Sequence, residues 1–396
     1  MKPKFLGCNL SPLLFSIFIN NMGKELNSSG LGIDLGPLNI SCLCFADDLV
    51  IIGRSRSSLD ALMTKTRSFF LHHHLEISGT KSKIMSFDAQ TGKTIFQDST
   101  NSSPLLLDQV LSFKYLGVPL NCSPYHLFQC FNKQVQQRAQ SFLSRVLSLV
   151  KSGPDRSNLA YTLWNSVALP SILYGAEAIP LTQGSINVIE KCQSAIGKFI
   201  LQIPRSSACV SATIDAGFKP IKFVLAEKVI LYSNSVMSKP ASFWPKVAMT
   251  ENINLGNKSP YTKYLLRLKS ATGSFGLSRQ QTLSSIRKAA ITHTLDQQRL
   301  VSTTTFAMNA PRPLTSVNRW FKPKPWVSDS GLSKIFAQFR AANTGLGNRG
   351  PAKDGERYKL CPLCIQMGER ALNNEVRTII EKILTLTHPF LGAYVD

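Results

Sequence analysis

Hydrophobic positions recur in two rhythms along this chain, and the rhythm changes near residue 120. Before it, short apolar runs alternate with two helical stripes. Residues 13–26 (LLFSIFINNMGKEL) place Phe15, Phe18, Ile19, Met22 and Leu26 on one face, which predicts a helix. Ser11-Pro12 opens it, with Pro12 in the first turn where its missing N–H costs nothing. Asn27–Gly36 is rich in Ser and Gly and reads as a loop. Cys42–Phe45 and Leu49–Ile52 read as strands, joined by Ala46-Asp47-Asp48 as a hairpin turn. Ser57-Ser58-Leu59-Asp60 has the form of a capping box. Leu59, Leu62, Met63, Thr66, Phe69 and Phe70 then continue a helix to about His72. Lys83–Phe87 predicts a strand, Thr91–Ser103 a polar turn region, and Phe113–Leu120 a second hairpin. Together these predict an α+β fold, an antiparallel sheet with helices over one face.

Beyond residue 120 the rhythm is helical. Lys133–Val150 carries Val135, Ala139, Phe142, Leu143, Val146, Leu147 and Val150 as an apolar face. Arg138 and Arg145, seven apart, share a side that is expected opposite to it. Ser157–Leu169 and Gly184–Leu201 continue in helical style, separated by Pro170, Gly175 and Pro180. Met237–Ser274 and Ser278–Leu300 alternate helical patches with polar loops. Ala310–Trp326 (APRPLTSVNRWFKPKPW) is proline-rich, basic and aromatic, and reads as extended. Its Trp320, Phe321 and Trp326 suit either stacking on single-stranded bases or packing against the helices.

Composition changes this picture in three ways. A chain of 396 residues with 43% hydrophobic content can bury a substantial core and is not compositionally disordered. No uninterrupted run of about 18 apolar residues exists, so no membrane span is expected. Nine cysteines without a secretory leader suit a reduced intracellular protein, nuclear or cytoplasmic, and Cys42 and Cys44 read as small core residues. The formal charge of +22 is unevenly placed. Residues 121–350 hold 28 Lys/Arg against 8 Asp/Glu, whereas residues 1–120 hold 11 against 9 and residues 351–396 hold 6 against 6. A segment so charged repels itself unless it lies along a polyanion, and nucleic acid is the natural one.

The chemistry centres on Asp47 and Asp48. Two adjacent carboxylates at a hairpin tip repel, and a bound divalent cation removes that cost. His72-His73-His74 does not read as a metal site, because consecutive helical residues point about 100° apart. A helix C-terminus, where positive charge is favoured, accounts for the triplet. Cys361 and Cys364 have zinc-ligand spacing, but Arg377 and Lys382 stand where further ligands are wanted, so zinc is not expected there.

Phe45-Ala46-Asp47-Asp48 between apolar strands resembles the catalytic hairpin of reverse transcriptases, in the form used by non-LTR (LINE-type) retrotransposons. Three further blocks follow the family's order over Gly7–Leu120. Gly7-Cys8-Asn9-Leu10-Ser11-Pro12 resembles the segment that contacts the incoming nucleotide and template. Leu75–Ser82 (LEISGTKS) resembles the block whose lysine, here Lys81, lies near the departing pyrophosphate. Phe113–Val118 (FKYLGV) resembles the primer-grip hairpin. More weakly, Ile200–Ile221 and the Cys361-Cys364 pair resemble the helical region and zinc knuckle of some elements.

The resemblance implies a partial palm over residues 1–120, a basic helical thumb and connecting region over 121–345, and a degenerate knuckle-like tail over 346–396. It implies RNA-directed DNA synthesis with two magnesium ions, Asp47 as ligand, Asp48 assisting and Lys81 as general acid. Gly7, Ser11, Pro12, Phe45 and Ala46 shape the nucleotide and template pocket. Arg138 and Arg145 face the RNA template and DNA primer. The family's first metal-binding aspartate lies upstream of the Gly7 block, so the chain reads as N-terminally truncated and inactive alone. The alternative is a non-catalytic RNA- or DNA-binding remnant, or a product that does not fold stably.

Overall fold

The computed structural model describes residues 11–302, apart from 87–91, 97–104, 152–155, 204 and 208. The fold is α+β, with short strand pairs early in the chain and helices after them. Two compact units divide it: residues up to Phe131 with Tyr232–Leu266, and Asn132–Leu231 with the chain from Arg267.

In the first unit, helix α1 (Ser11–Asn27) and helix α2 (Arg56–His72) enclose the hairpin of β3 (Cys42–Phe45) and β4 (Asp48–Ile51). Ile19, Met22 and Leu26 from α1 are buried with Cys42 and Leu62, and Phe15, Leu49, Ile51, Phe69 and Phe70 close over them. The predicted stripe is therefore the core face of α1. Its Phe18 instead packs with the rings of Phe69 and His73, at centroid distances of 5.8 and 4.8 Å. The N-cap of α2 is Ser55, two residues before the predicted box; its hydroxyl accepts from the Ser58 N–H. Asp60 serves another purpose, pairing with Arg56 one turn away at 2.9 Å. At the other end α2 stops at His72, and His74 takes a left-handed φ of 56° just past the cap, as helix C-termini commonly require.

The loop expected over Asn27–Gly36 contains a strand. Ile33–Leu35 (β1) pairs antiparallel with Leu38–Ile40 (β2), turning at Gly36 with φ 55°. Arg54 fastens this hairpin by donating to the carbonyls of Gly32 and Gly30 at 2.7 and 2.9 Å, and it pairs with Asp34. Another correction concerns Thr91–Ser103: Gly92–Phe96 (β6) is a strand, paired antiparallel to Leu105–Gln109 (β7). Lys83–Ile84 (β5) runs parallel on the other side of β7, where Lys83 and Asp108 form an ion pair. Ser112–Tyr115 (β8) and Val118–Asn121 (β9) form the last hairpin, turning through Leu116 and Gly117, both at positive φ. Two-residue hairpin loops favour that backbone twist. Helix α9 (Trp244–Asn254, following α3 to α8) and the start of α10 (Pro260–Thr272) return to this unit, with α9 against β1.

The second unit is helical. Its elements are most of α3 (Pro124–Leu149), α4 (Arg156–Leu163), α5 (Leu169–Ile172), α6 (Gln183–Ile200), α7 (Cys209–Asp215), most of α8 (Ile221–Met237), the end of α10 (Pro260–Thr272) and α11 (Arg279–Ser302). Pro170 does not separate helices as expected. A π turn over Trp164–Ala168 joins α4 to α5, the Leu169 N–H reaching the Trp164 carbonyl, so the chain passes the proline with its helical course kept. Buried Trp164 donates to Gln193 at 3.2 Å, and Asn132 accepts from the Thr182 N–H and the Ser185 hydroxyl at 2.8 and 2.7 Å. Among the described residues no helix is long and apolar enough to cross a membrane.

Candidate active site

The aspartate hairpin is built from the ladder outward. Cys42 faces Ile51, Leu43 faces Val50, Cys44 faces Leu49, and Phe45 faces Asp48. Asp48 is therefore the first residue of β4, and the turn is only Ala46-Asp47. Ala46 stands at φ 52°, in the left-handed region that costs a non-glycine residue roughly 1–2 kcal/mol. Ladder pairing on one side and core packing on the other hold it there.

Asn27 anchors the other end of β3. Its Oδ1 accepts from the backbone N–H groups of Ser41 and Cys42 at 2.8 and 3.0 Å, and its Nδ2 donates to the Cys42 carbonyl at 3.3 Å. The last residue of α1 is thereby tied to the start of the aspartate-bearing strand. Sequence reasoning missed this residue; the signal was an amide at a helix end just before a Ser-Ser-Gly loop.

Phe45, Ala46, Asp47 and Asp48 are all exposed. Neither carboxylate has a hydrogen-bond or ion-pair partner among the described residues. Tyr115, at the end of β8, lies within electrostatic reach of Asp48. Burial first, then the charges on Asp48, Cys44 and Cys42, push its phenol upward. The β8–β9 hairpin thus has Tyr115 within electrostatic reach of the aspartate hairpin. Lys81 is exposed in the turn before β5, its N–H on the Ser78 carbonyl at 3.2 Å. Flanking Ile77 and Ile84 pack in one cluster with Ile51 of β4, so its loop belongs to the same small core. Lys81 makes no ion pair with either aspartate.

Cys42 and Cys44 differ from the expectation that both are core residues. Cys42 is buried, but Cys44 is exposed, with the two sulfurs 3.2 Å apart. A hydrogen bond from Cys42 lowers the Cys44 thiol to about 7. The same hydrogen bond, then burial, then the charge on Cys44, holds the proton on Cys42.

Ser11 and Pro12 begin α1, whereas Gly7, Cys361 and Cys364 lie outside the described residues. Arg138 and Arg145 share a side of α3, but that side borders the apolar face rather than opposing it. Arg138 is half-buried, donating to the Tyr174 carbonyl at 3.4 Å, while exposed Arg145 lies over the Phe142 ring at 5.8 Å. The cause is angular: positions 138 and 142 are one turn apart, and Phe142 belongs to the stripe. Among the described residues no group of three His, Cys, Asp or Glu side chains converges as for a metal ion.

The family model for reverse transcriptase (RNA-dependent DNA polymerase) matches residues 5–120. A relative is the retrovirus-related Pol polyprotein from type-1 retrotransposable element R2 of Popillia japonica, 26% identical over 191 residues. That alignment takes in 47% of this chain and 26% of the relative, so the chain spans about a quarter of the length of the protein it matches. Reverse transcriptases generally use divalent metal ions and act on nucleic acids. The segment 5–120, with its exposed aspartate doublet on a two-residue bend, thus matches the reverse transcriptase family model, and the chain is similar to the polyprotein of a non-LTR retrotransposon.

Proposed function

We propose that the first unit carries part of the active site of an RNA-directed DNA polymerase, and that the basic helical region binds its RNA template and DNA primer. The observation that carries this is the bare carboxylate pair: Asp47 and Asp48 are exposed, with no hydrogen-bond or ion-pair partner among the described residues. Adjacent anions left so are suited to a hard cation, and carboxylate oxygens are the donors that magnesium prefers. Bound there, magnesium supplies the Lewis acidity that nucleotidyl transfer needs. Asp47 serves as ligand and Asp48 orients it. Lys81 offers a proton or a positive charge to the departing pyrophosphate. Phe45 and Ala46, with Gly7, Ser11 and Pro12, bound the nucleotide and template pocket. Arg138 and Arg145 lie toward phosphate.

Two carboxylates do not complete a two-ion site. A third ligand comes from outside the described residues. Manganese, as a paramagnetic stand-in for magnesium, tests the site directly. Its electron paramagnetic resonance titration is expected to show a site lost in Asp47→Ala and weakened in Asp48→Ala. Equal binding by all three proteins would remove the reading. A second reading, a non-catalytic nucleic-acid-binding protein, is favoured by the excess of 28 basic over 8 acidic residues in 121–350. It predicts affinity for an RNA–DNA duplex that falls with salt but is indifferent to magnesium and to Asp47→Ala.

A further inference from the structure

Cys42 and Cys44 occupy alternate positions of β3, so both side chains leave the same face of the strand. Their sulfurs are 3.2 Å apart. Both line a groove of about 480 Å³ whose opposite wall is α1, through Ser16, Asn20, Gly23 and Lys24. Gly23 keeps the wall low over the sulfur, since even a Cβ there would stand 3.6 Å from Cys44 Sγ. The volume is that of a small-molecule site. Lys24, the charged residue of this lining, favours an anion.

We propose that Cys42 and Cys44 form a redox-active dithiol that reacts in this groove with a small anionic disulfide of the glutathione type. The Cys44 thiolate attacks one sulfur of the disulfide. The reagent's S–S bond breaks, a mixed disulfide forms on Cys44, and the first thiolate leaves to be protonated by water. Cys42 then releases its proton to water and attacks Cys44 Sγ. The mixed disulfide breaks, Cys42 and Cys44 are joined, and the second thiolate leaves and is protonated. Two protein thiols are oxidised and one disulfide is reduced to two small thiols.

The roles follow from the surroundings. Cys44 is the exposed member, and the hydrogen bond it accepts from Cys42 stabilises its thiolate near neutral pH. Once Cys44 is capped, its negative charge is gone, and with it the hydrogen bond and repulsion that kept Cys42 protonated. Burial then screens Cys42 from competing reagents while leaving it beside the sulfur it must attack.

Strand geometry makes the bond reversible. Two residues of extended chain span roughly 6.6 Å between Cα atoms, against about 4.4–6.8 Å, usually 5.5–6 Å, for a disulfide. Oxidation therefore puckers β3 at Leu43 and strains the Leu43–Val50 pairing. Disulfides formed against strain are the easily reduced ones. This site owes nothing to the polymerase reading, and the two fail separately.

Trypsin releases Glu25–Arg54, which contains Cys42 and Cys44 and no other cysteine. The full chain is equilibrated in buffers of increasing oxidised-to-reduced glutathione, alkylated and digested. The expected product is this peptide unalkylated and lighter by two hydrogen atoms, restored by a strong dithiol reductant. In Cys44→Ser the remaining Cys42 is expected to react with glutathione disulfide about tenfold more slowly than the wild-type pair. A peptide alkylated at both sulfurs in every buffer would overturn the proposal. So would a glutathione adduct on Cys44 that never resolves.

Discussion

Replacing Asn27 by Ala should loosen the aspartate hairpin more than any contact made by the aspartates themselves. The Asn27 amide satisfies two backbone donors, Ser41 N–H and Cys42 N–H, and one acceptor, the Cys42 carbonyl. Each orphaned group costs about 1–3 kcal/mol when dry. The carbonyl contact is long and the side chain only half-buried, so water recovers part of the loss, leaving about 2–4 kcal/mol. Asn27→Asp keeps an oxygen to accept from both N–H groups and loses the weaker donation to the Cys42 carbonyl. A carboxylate at a helix C-terminus adds a few tenths, for a cost of about 1–2 kcal/mol. Because the chain has two compact units, one global unfolding energy is poorly defined, and local hydrogen exchange is the better assay. Protection of the Ser41 and Cys42 amides should fall about thirty- to several-hundred-fold in Asn27→Ala, at 1.4 kcal/mol per tenfold. In Asn27→Asp the fall should be about tenfold. Protection within threefold of wild type in Asn27→Ala, or equal losses in the two variants, would refute the clamp.

Leu62 of α2 is fully buried against α1 and β3, so Leu62→Ala should destabilise the first unit by about 2–5 kcal/mol, read as a lower urea midpoint for its amide signals. Burial, then the charge of Lys222 at 3.0 Å from Nδ1, holds the His293 imidazole below its usual range. The folded state then binds fewer protons than the unfolded one. Stability present above the ordinary histidine range is lost as pH falls through the folded value. Melting from about pH 7 to about pH 5 should show that loss, and His293→Gln should blunt it. On an RNA–DNA duplex, Arg145→Ala should flatten the slope of log affinity against log salt by about one. Half-buried Arg138, committed to the Tyr174 carbonyl, should on truncation lower the melting temperature more than the slope.

What could be read from the sequence was whatever local pattern decides. The α1 stripe and the two hairpins at Ala46 and Gly117 were legible because period and turn chemistry agree there. The β1–β2 hairpin was hidden, since Ile33–Leu35 and Leu38–Ile40 are three residues each and the Gly-Pro between them looks like plain loop. β6 was hidden because its partner, β7, not its own polar sequence, makes it a strand. The cap of α2 was misplaced by two residues because Ser55, Ser57 and Ser58 give the same local signal. At the site, the aspartates were legible from their flanks. The Asn27 clamp spans 14 and 15 residues, and no local rule reports it. Alternation placed Cys42 and Cys44 on one face but could not tell that the face runs out into solvent at Cys44.

The return of Tyr232–Leu266 to the first unit bears on how the protein is made. α9 covers β1, yet it is translated only after the 100 residues of 132–231. At roughly 5–20 residues per second, the ribosome leaves the nascent β1–β2 hairpin without α9 for about 10–40 s. An uncovered strand edge is a template for mispairing between neighbouring nascent chains on one message. The helices from α4 to α7 emerge complete within that interval, whereas α11 of the second unit follows α9, so neither unit is finished before the other.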